Sequence, residues 1–196
     1  MTAAFSGDPR TLWIASPLDD DRKMELIDEF WFDDRSGHRW TAPAGYRVDG
    51  ASIPRALWTL IGSPYTGQYR RASIVHDKAC DDAVGHPDQR RAADRMFYEA
   101  CRAGGCSKSE AAILYAGVRI GGTWSQIAPT LTESVQLDGP RISPAPSERS
   151  VVAEFQYMAD QILRQGETDD PVEVERRADA AEAQLRQARA ASLAAI

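Results

Sequence analysis

Apolar and polar positions change their period along this chain. Between Lys23 and Asp33, Met24, Leu26, Trp31 and Phe32 are interleaved with acids and rich in aromatics, as in half-buried strand. Ser36-Gly37 marks a turn, so His38-Arg39-Trp40-Thr41 is the returning arm of a hairpin. A further short strand is predicted through Gly45-Tyr46-Arg47-Val48. Two or three short strands bury little alone and are expected to pack on helices. Residues 1–22 read as an extended or irregular lead-in anchored by Trp13 and Ile14.

Past residue 50 the spacing lengthens to three and four, the period of helices. Ser52 is the natural N-cap of a short helix carrying Ala56, Leu57, Trp58, Leu60 and Ile61, with Pro54 tolerated in its first turn. Gly62 stops it, and a loop rich in Gly and Pro runs to Gly67. A second helix is predicted from about Gln68 to Ala83, and His86-Pro87-Asp88 opens a third. The inward face of the third is Ala93, Met96, Phe97, Ala100 and Cys101, and Gly104-Gly105 ends it. Ser107 and Glu110 form a capping box for a fourth helix, expected to stop at Gly121-Gly122.

Residues 123–146 turn Pro-, Ser- and Thr-rich and read as a linker or long surface loop. A fifth helix, about 148–165, carries the stripe Val151, Val152, Phe155, Met158, Ala159 and Ile162. Asp170-Pro171 starts a last helix whose inward positions, Val174, Ala178, Ala181, Leu185 and Ala188, are mostly small. So small a seam is expected to lean on something else, such as a protein partner or a second copy. The expected fold is therefore mainly α with a small N-terminal antiparallel β-hairpin. Its natural division is a compact α+β unit at 23–122 and a helical appendage at 147–196.

Composition narrows the classes. With 196 residues, 43% hydrophobic and 27% charged, the chain has the profile of a soluble globular protein. No apolar run approaches the roughly 20 residues of a membrane span. The first residues lack both a basic region and an apolar core, so no secretory signal is read there and a cytoplasmic setting is expected. The net charge of −6 argues against a chain-wide nucleic-acid footprint. Three cysteines are too few and too odd in number for a disulfide framework, so reduced, core-packed thiols are expected.

The chemistry concentrates around Val75-His76-Asp77. A histidine with a carboxylate in the next helix, Asp94, is a general-base pair: the acid fixes the ring and stabilises the imidazolium. Asp77 points about 100° around the helix from His76, so it is free to bind a hard cation instead. Calcium wants several oxygens, and backbone carbonyls near Gly62 and Gly67 offer them. Such a cation would stabilise an oxyanion and neutralise a substrate phosphate. The plainer readings are a core histidine at His76 and a helix-surface salt bridge from Asp94 to Arg90, Arg91 or Arg95.

Several spaced motifs carry a resemblance. Val48-Asp49-Gly50-Ala51-Ser52-Ile53-Pro54-Arg55, Val75-His76-Asp77, Arg91-Ala92-Ala93-Asp94 with Phe97, and Val118-Arg119 look like a family of small domains of tailed phages and bacteria, over about residues 42–122. On that likeness Asp49, Ser52 and Arg55 are supporting residues of the same unit. A remoter resemblance is to phospholipase A2, where a His-Asp pair opens one helix and an Ala-Asp pair sits in the next. It implies a phospholipid substrate, His76 as base, Asp94 as its partner and Asp77 as calcium ligand. Cys80 stands where those enzymes place a tyrosine. Three alternatives stand beside it: a non-enzymatic phage-derived structural or interaction module, a metal phosphohydrolase using His38, His76, Asp77 and Asp94, and a thiol nucleophile at Cys80.

Overall fold

The computed structural model describes residues 2–14, 23–48, 53–62, 67–133 and 148–194. Six short strands precede six α-helices among them. The strands are β1 (Ala4–Phe5), β2 (Thr11–Ile14), β3 (Lys23–Leu26), β4 (Phe30–Asp33), β5 (Arg39–Ala42) and β6 (Arg47–Val48). They form two antiparallel sheets of three, ordered β1-β4-β5 and β2-β3-β6. The predicted hairpin is β4–β5, pairing Phe30 with Ala42 and Asp33 with Arg39. The lead-in joins both sheets, through Phe5 against Phe32 and Thr11–Ile14 along β3.

The stretch expected to be one strand is two. Met24, Leu26, Phe30 and Phe32 all point into the core on a period of two. An unbroken strand would put Asp28 on that face. The chain bends instead, and Asp28 accepts a 2.9 Å bond from Arg10 in solvent. Trp13, expected to anchor the lead-in, is 63% exposed. Phe5 does that work, stacking on Phe30 with ring centroids 5.7 Å apart.

A 3₁₀ turn (Arg55–Leu57) leads into α1 (Trp58–Ile61), which ends at Gly62 with φ 91°. Then come α2 (Arg70–Asp82), α3 (Pro87–Ala103), α4 (Lys108–Glu133), α5 (Glu148–Leu163) and α6 (Pro171–Ala194). Helix α2 is buried on nearly every side, because α3 packs on one flank and β4, β5 and β6 on another. The capping box at the start of α4 closes as expected: Ser107 N–H donates to Glu110 at 2.7 Å and Glu110 N–H to Ser107 Oγ at 3.1 Å.

Helix α4 does not stop at Gly121-Gly122. It continues to Glu133, so the first part of the expected linker is helix, and 134–147 lie outside the described residues. Glycine costs a helix about 1 kcal/mol per residue in isolation. Here tertiary packing overrides that cost. A Cβ on Gly122 would lie 3.3 Å from an Arg90 guanidinium nitrogen, and one on Gly117 would lie 3.3 Å from Ile61. These glycines are places where neighbours approach closely.

Helices α5 and α6 turn their apolar stripes onto the rest of the chain. Val151, Phe155, Met158, Ile162, Val174, Ala178 and Ala181 join the same buried cluster as Phe32, Ile74 and Phe97. The small seam of α6 thus meets α3, α4 and α5 of its own chain, whereas Ala188 is exposed. Buried Arg177 fastens the α5–α6 turn by donating to the carbonyls of Ile162 at 3.0 Å and Gly166 at 2.6 Å.

Because the core is shared, Met158→Ala should lower stability by about 2–5 kcal/mol, the cost of a cavity at a fully buried Met. Urea unfolding followed by tryptophan fluorescence should shift as one transition. Biphasic unfolding with an unmoved first step would show that α5–α6 fold separately.

Candidate functional site

Helices α2 and α3 are placed so that His76 Nε2 lies 2.9 Å from Asp94 Oδ1. The eighteen-residue separation covers the last six residues of α2, the four-residue turn 83–86 and the first eight positions of α3, which faces the two side chains inward. The ring of Phe97 covers the imidazole at 4.7 Å between centroids. Both partners are buried, His76 at 0% and Asp94 at 3% exposure.

Asp94 serves more than the histidine. Arg90, one turn earlier, donates to Oδ1 at 3.3 Å, and Arg119 of α4 approaches Oδ2 at 4.0 Å. Arg119, itself buried, continues to α6, meeting Asp179 at 2.9 Å and also Glu182. Beside it, Arg95 reaches Glu175 at 2.8 Å and Arg91 bonds Asp179. The result is a chain of charges from α2 through α3 and α4 to α6.

Protonation follows from this setting. Burial opposes charge on His76, but the Cys80 sulfur and the Asp94 carboxylate outweigh it and raise the imidazole to about 9. Burial likewise opposes charge on Asp94, yet the His76 bond and the cations of Arg90 and Arg119 hold its carboxyl below the ordinary value. The pair is an imidazolium against a carboxylate at neutral pH.

Cys80, one turn after His76, has its sulfur 3.6 Å from Nδ1 and 3.4 Å from Nε2. A sulfur nearly equidistant from both nitrogens points along neither in-plane lone pair. That geometry does not set up thiol deprotonation by the ring. His76, Cys80 and Asp94 nonetheless place one nitrogen, one sulfur and one oxygen within 4.8 Å of one another, and no other such trio of metal donors occurs among the described residues. This mixed donor set does not suit calcium, which takes six to eight oxygens. The oxygen is also already engaged by His76 and Arg90.

Of the remaining sequence-derived residues, none that is described joins this donor group. Asp77 is buried. Gly62 and Gly67, with φ of 91° and 80°, both lie against the Tyr69 side chain, and the loop residues 63–66 between them fall outside the described residues. Asp49 and Ser52 are outside them too, and the Arg55 side chain is not described. His38 packs edge-on to Trp40 at 4.7 Å in the hairpin turn and belongs to no metal-donor group with His76.

Sequence reasoning missed Asp34, the buried hub of that turn. One of its oxygens accepts from Ser36 N–H at 2.9 Å and His38 N–H at 3.0 Å, and the other from Trp40 Nε1 at 2.9 Å. An Asp two residues before Ser36-Gly37 was the available signal. The hairpin also walls an open groove of about 660 Å³ against α2 and α3, lined by His38, Trp40, Val75, Ala79, Arg95 and Met96 but not by His76 or Asp94.

Residues 24–118 match the family model described as "Protein of unknown function (DUF1353)". Just under half of the chain is thus similar to the DUF1353 family. Its match runs from β3 into α4 and contains His76, Cys80 and Asp94, while Arg119 and the α6 acids lie beyond it. Two relatives come from Sinorhizobium fredii (strain NBRC 101917 / NGR234). "Uncharacterized protein y4jT" is 43% identical over 94 residues, 47% of this chain and 26% of the relative. "Uncharacterized protein y4iH" is 34% identical over 114 residues, 58% of this chain and 46% of the relative. The chain thus spans less than half the length of either relative. No solved structure matches it.

The His76–Asp94 pair makes a signed prediction about pH. The raised pKa of His76 gives stability that is complete below about pH 6.5 and lost as pH climbs through about 9. The lowered pKa of Asp94 gives stability present above the ordinary 3.8 and lost in acid. Stability from the pair should therefore be greatest between roughly pH 4 and 6.5 and fall towards pH 9 by on the order of 3 kcal/mol. Urea midpoints measured across that range should show the decline in the natural chain and a flat profile in His76→Gln. An unchanged slope in the variant would place the titrating group elsewhere.

Proposed function

We propose that the DUF1353 unit is a non-catalytic structural or interaction module in which His76 and Asp94 fasten the helices from inside. The observation that carries this reading is the complete burial of the imidazole beneath Phe97. A general base must reach its substrate and be neutral at the working pH. His76 exposes no surface and is held protonated. The surface such a module would present is the groove between the β4–β5 hairpin and helices α2–α3, where Trp40 and Met96 lie among charged side chains. The likeness to small domains of tailed phages fits a component of an assembly.

One observation favours a second reading, the phospholipase A2-like hydrolase. The 2.9 Å bond from Nε2 to Asp94 is the orientation a histidine base needs, leaving Nδ1 for a water. That reading requires the ring to be uncovered when substrate binds, with calcium held by Asp77 and carbonyls of the 62–67 loop.

Fatty-acid release from mixed phospholipid vesicles separates the two. The natural chain should release none above the buffer rate, with calcium or with chelator. Asp94→Asn should instead destabilise the fold by about 3–5 kcal/mol, because it strips buried His76 and Arg90 of their carboxylate partner. Calcium-dependent release that disappears in a folded His76→Gln chain would establish the hydrolase and overturn the module.

A further inference from the structure

The C-terminal end of α3 brings two thiols together, away from the His76 pair. The helix closes with Gly105 N–H donating to the Arg102 carbonyl at 3.2 Å and Cys106 N–H to the Cys101 carbonyl at 3.1 Å. Gly105 takes φ 107°, the left-handed conformation this double closure requires. The motif sets the residue third from the helix end beside the residue just past the turn, a position pair usually filled by apolar side chains. In this chain both are cysteine, so the double closure of the helix end sets the two thiols at that position pair.

The surroundings give the two sulfurs different characters. The neighbouring Cys101 thiol, ahead of the opposing effect of burial, lowers the Cys106 pKa and favours its thiolate. Burial first, and then the Cys106 sulfur beside it, hold Cys101 well above the ordinary thiol range. Cys106, itself only 3% exposed, is at the wall of an open groove of about 680 Å³ with Ile61, Tyr69, Arg102 and Leu114, and Cys101 lies deeper at 0% exposure. The backbone between them is held in place: a Cβ on Gly104 would come within 2.4 Å of the Gln68 carbonyl. The third thiol, Cys80, sits against His76 instead.

We propose that Cys101 and Cys106 are an oxidative modification site, converted by a hydroperoxide into an intramolecular disulfide that staples the end of α3 to the start of α4. The Cys106 thiolate attacks the outer peroxide oxygen, the O–O bond breaks, and the departing oxygen leaves protonated as water or an alcohol. Cys106 is then a sulfenic acid. Cys101 gives up its proton and its sulfur attacks Cys106, forming the S–S bond and expelling hydroxide as water. Two thiols and one hydroperoxide yield one disulfide, one water and one further water or alcohol, and two electrons pass from the sulfurs to the peroxide oxygens. A thiol reductant reverses the bond.

Trypsin cuts between the two cysteines at Arg102, which makes the product easy to read. The native full-length chain is treated with hydrogen peroxide, its free thiols are alkylated in denaturant, and the digest is analysed by mass spectrometry. The expected product is the peptide Met96–Arg102 joined to Ala103–Lys108 with the loss of two hydrogens, reversed by dithiothreitol, while Cys80 is alkylated. Cys80→Ser should keep the linkage and Cys106→Ser should lose it. A Cys106 driven to sulfinic or sulfonic acid without linkage, a bond to Cys80 or to a second chain, or three thiols still free in the treated native chain would each overturn the proposal.

Discussion

A buried carboxylate organises the middle of this protein. Asp94 sits on α3 with its charge turned inward, and a buried charge is tolerated only when paired and hydrogen-bonded. His76 of α2, Arg90 of α3 and Arg119 of α4 supply the pairing from three helices. Each partner must arrive at a defined place, so the carboxylate specifies how those helices meet. Arg119 then transmits the requirement to α6, because a buried guanidinium needs its own acids and finds Asp179 and Glu182 there.

That network supports the proposal of a structural role for the histidine-aspartate pair. The spacing, the 2.9 Å contact and the fixed ring are those of a base and its orienting acid. The covering Phe97 ring and the stabilised imidazolium are those of an internal tie. The same two residues serve either purpose, and the difference lies in solvent access and in the two arginines. The two open grooves lie away from the pair, one along the hairpin and one beside the Cys101–Cys106 turn.

Helices α5 and α6 extend the core rather than hang from it. Their stripe of Phe155, Met158, Ile162, Val174 and Ala178 closes over α3 and α4, and their acids complete the charge network that begins at His76. The family match ends before these helices, so elements outside the matched segment complete the core.

Local patterns were enough for much of this. The β4–β5 hairpin follows from alternating aromatics and Ser36-Gly37, α3 from Pro87 and its three-four face, α4 from the Ser107–Glu110 box. The eighteen-residue spacing already paired His76 with Asp94. These features depend on neighbours in sequence, which is why sequence reveals them. Other features depended on contacts distant in sequence. At Gly122 the Arg90 guanidinium approaches α4 closely, and residues 23–33 split because an unbroken strand would turn Asp28 into the core. The small seam of α6 was consumed within its own chain. Whether His76 faces solvent or Phe97 was likewise beyond any local pattern. Burial is a property of what packs on top, and here that is a ring from the next helix, held by a charge network reaching to the far end of the chain.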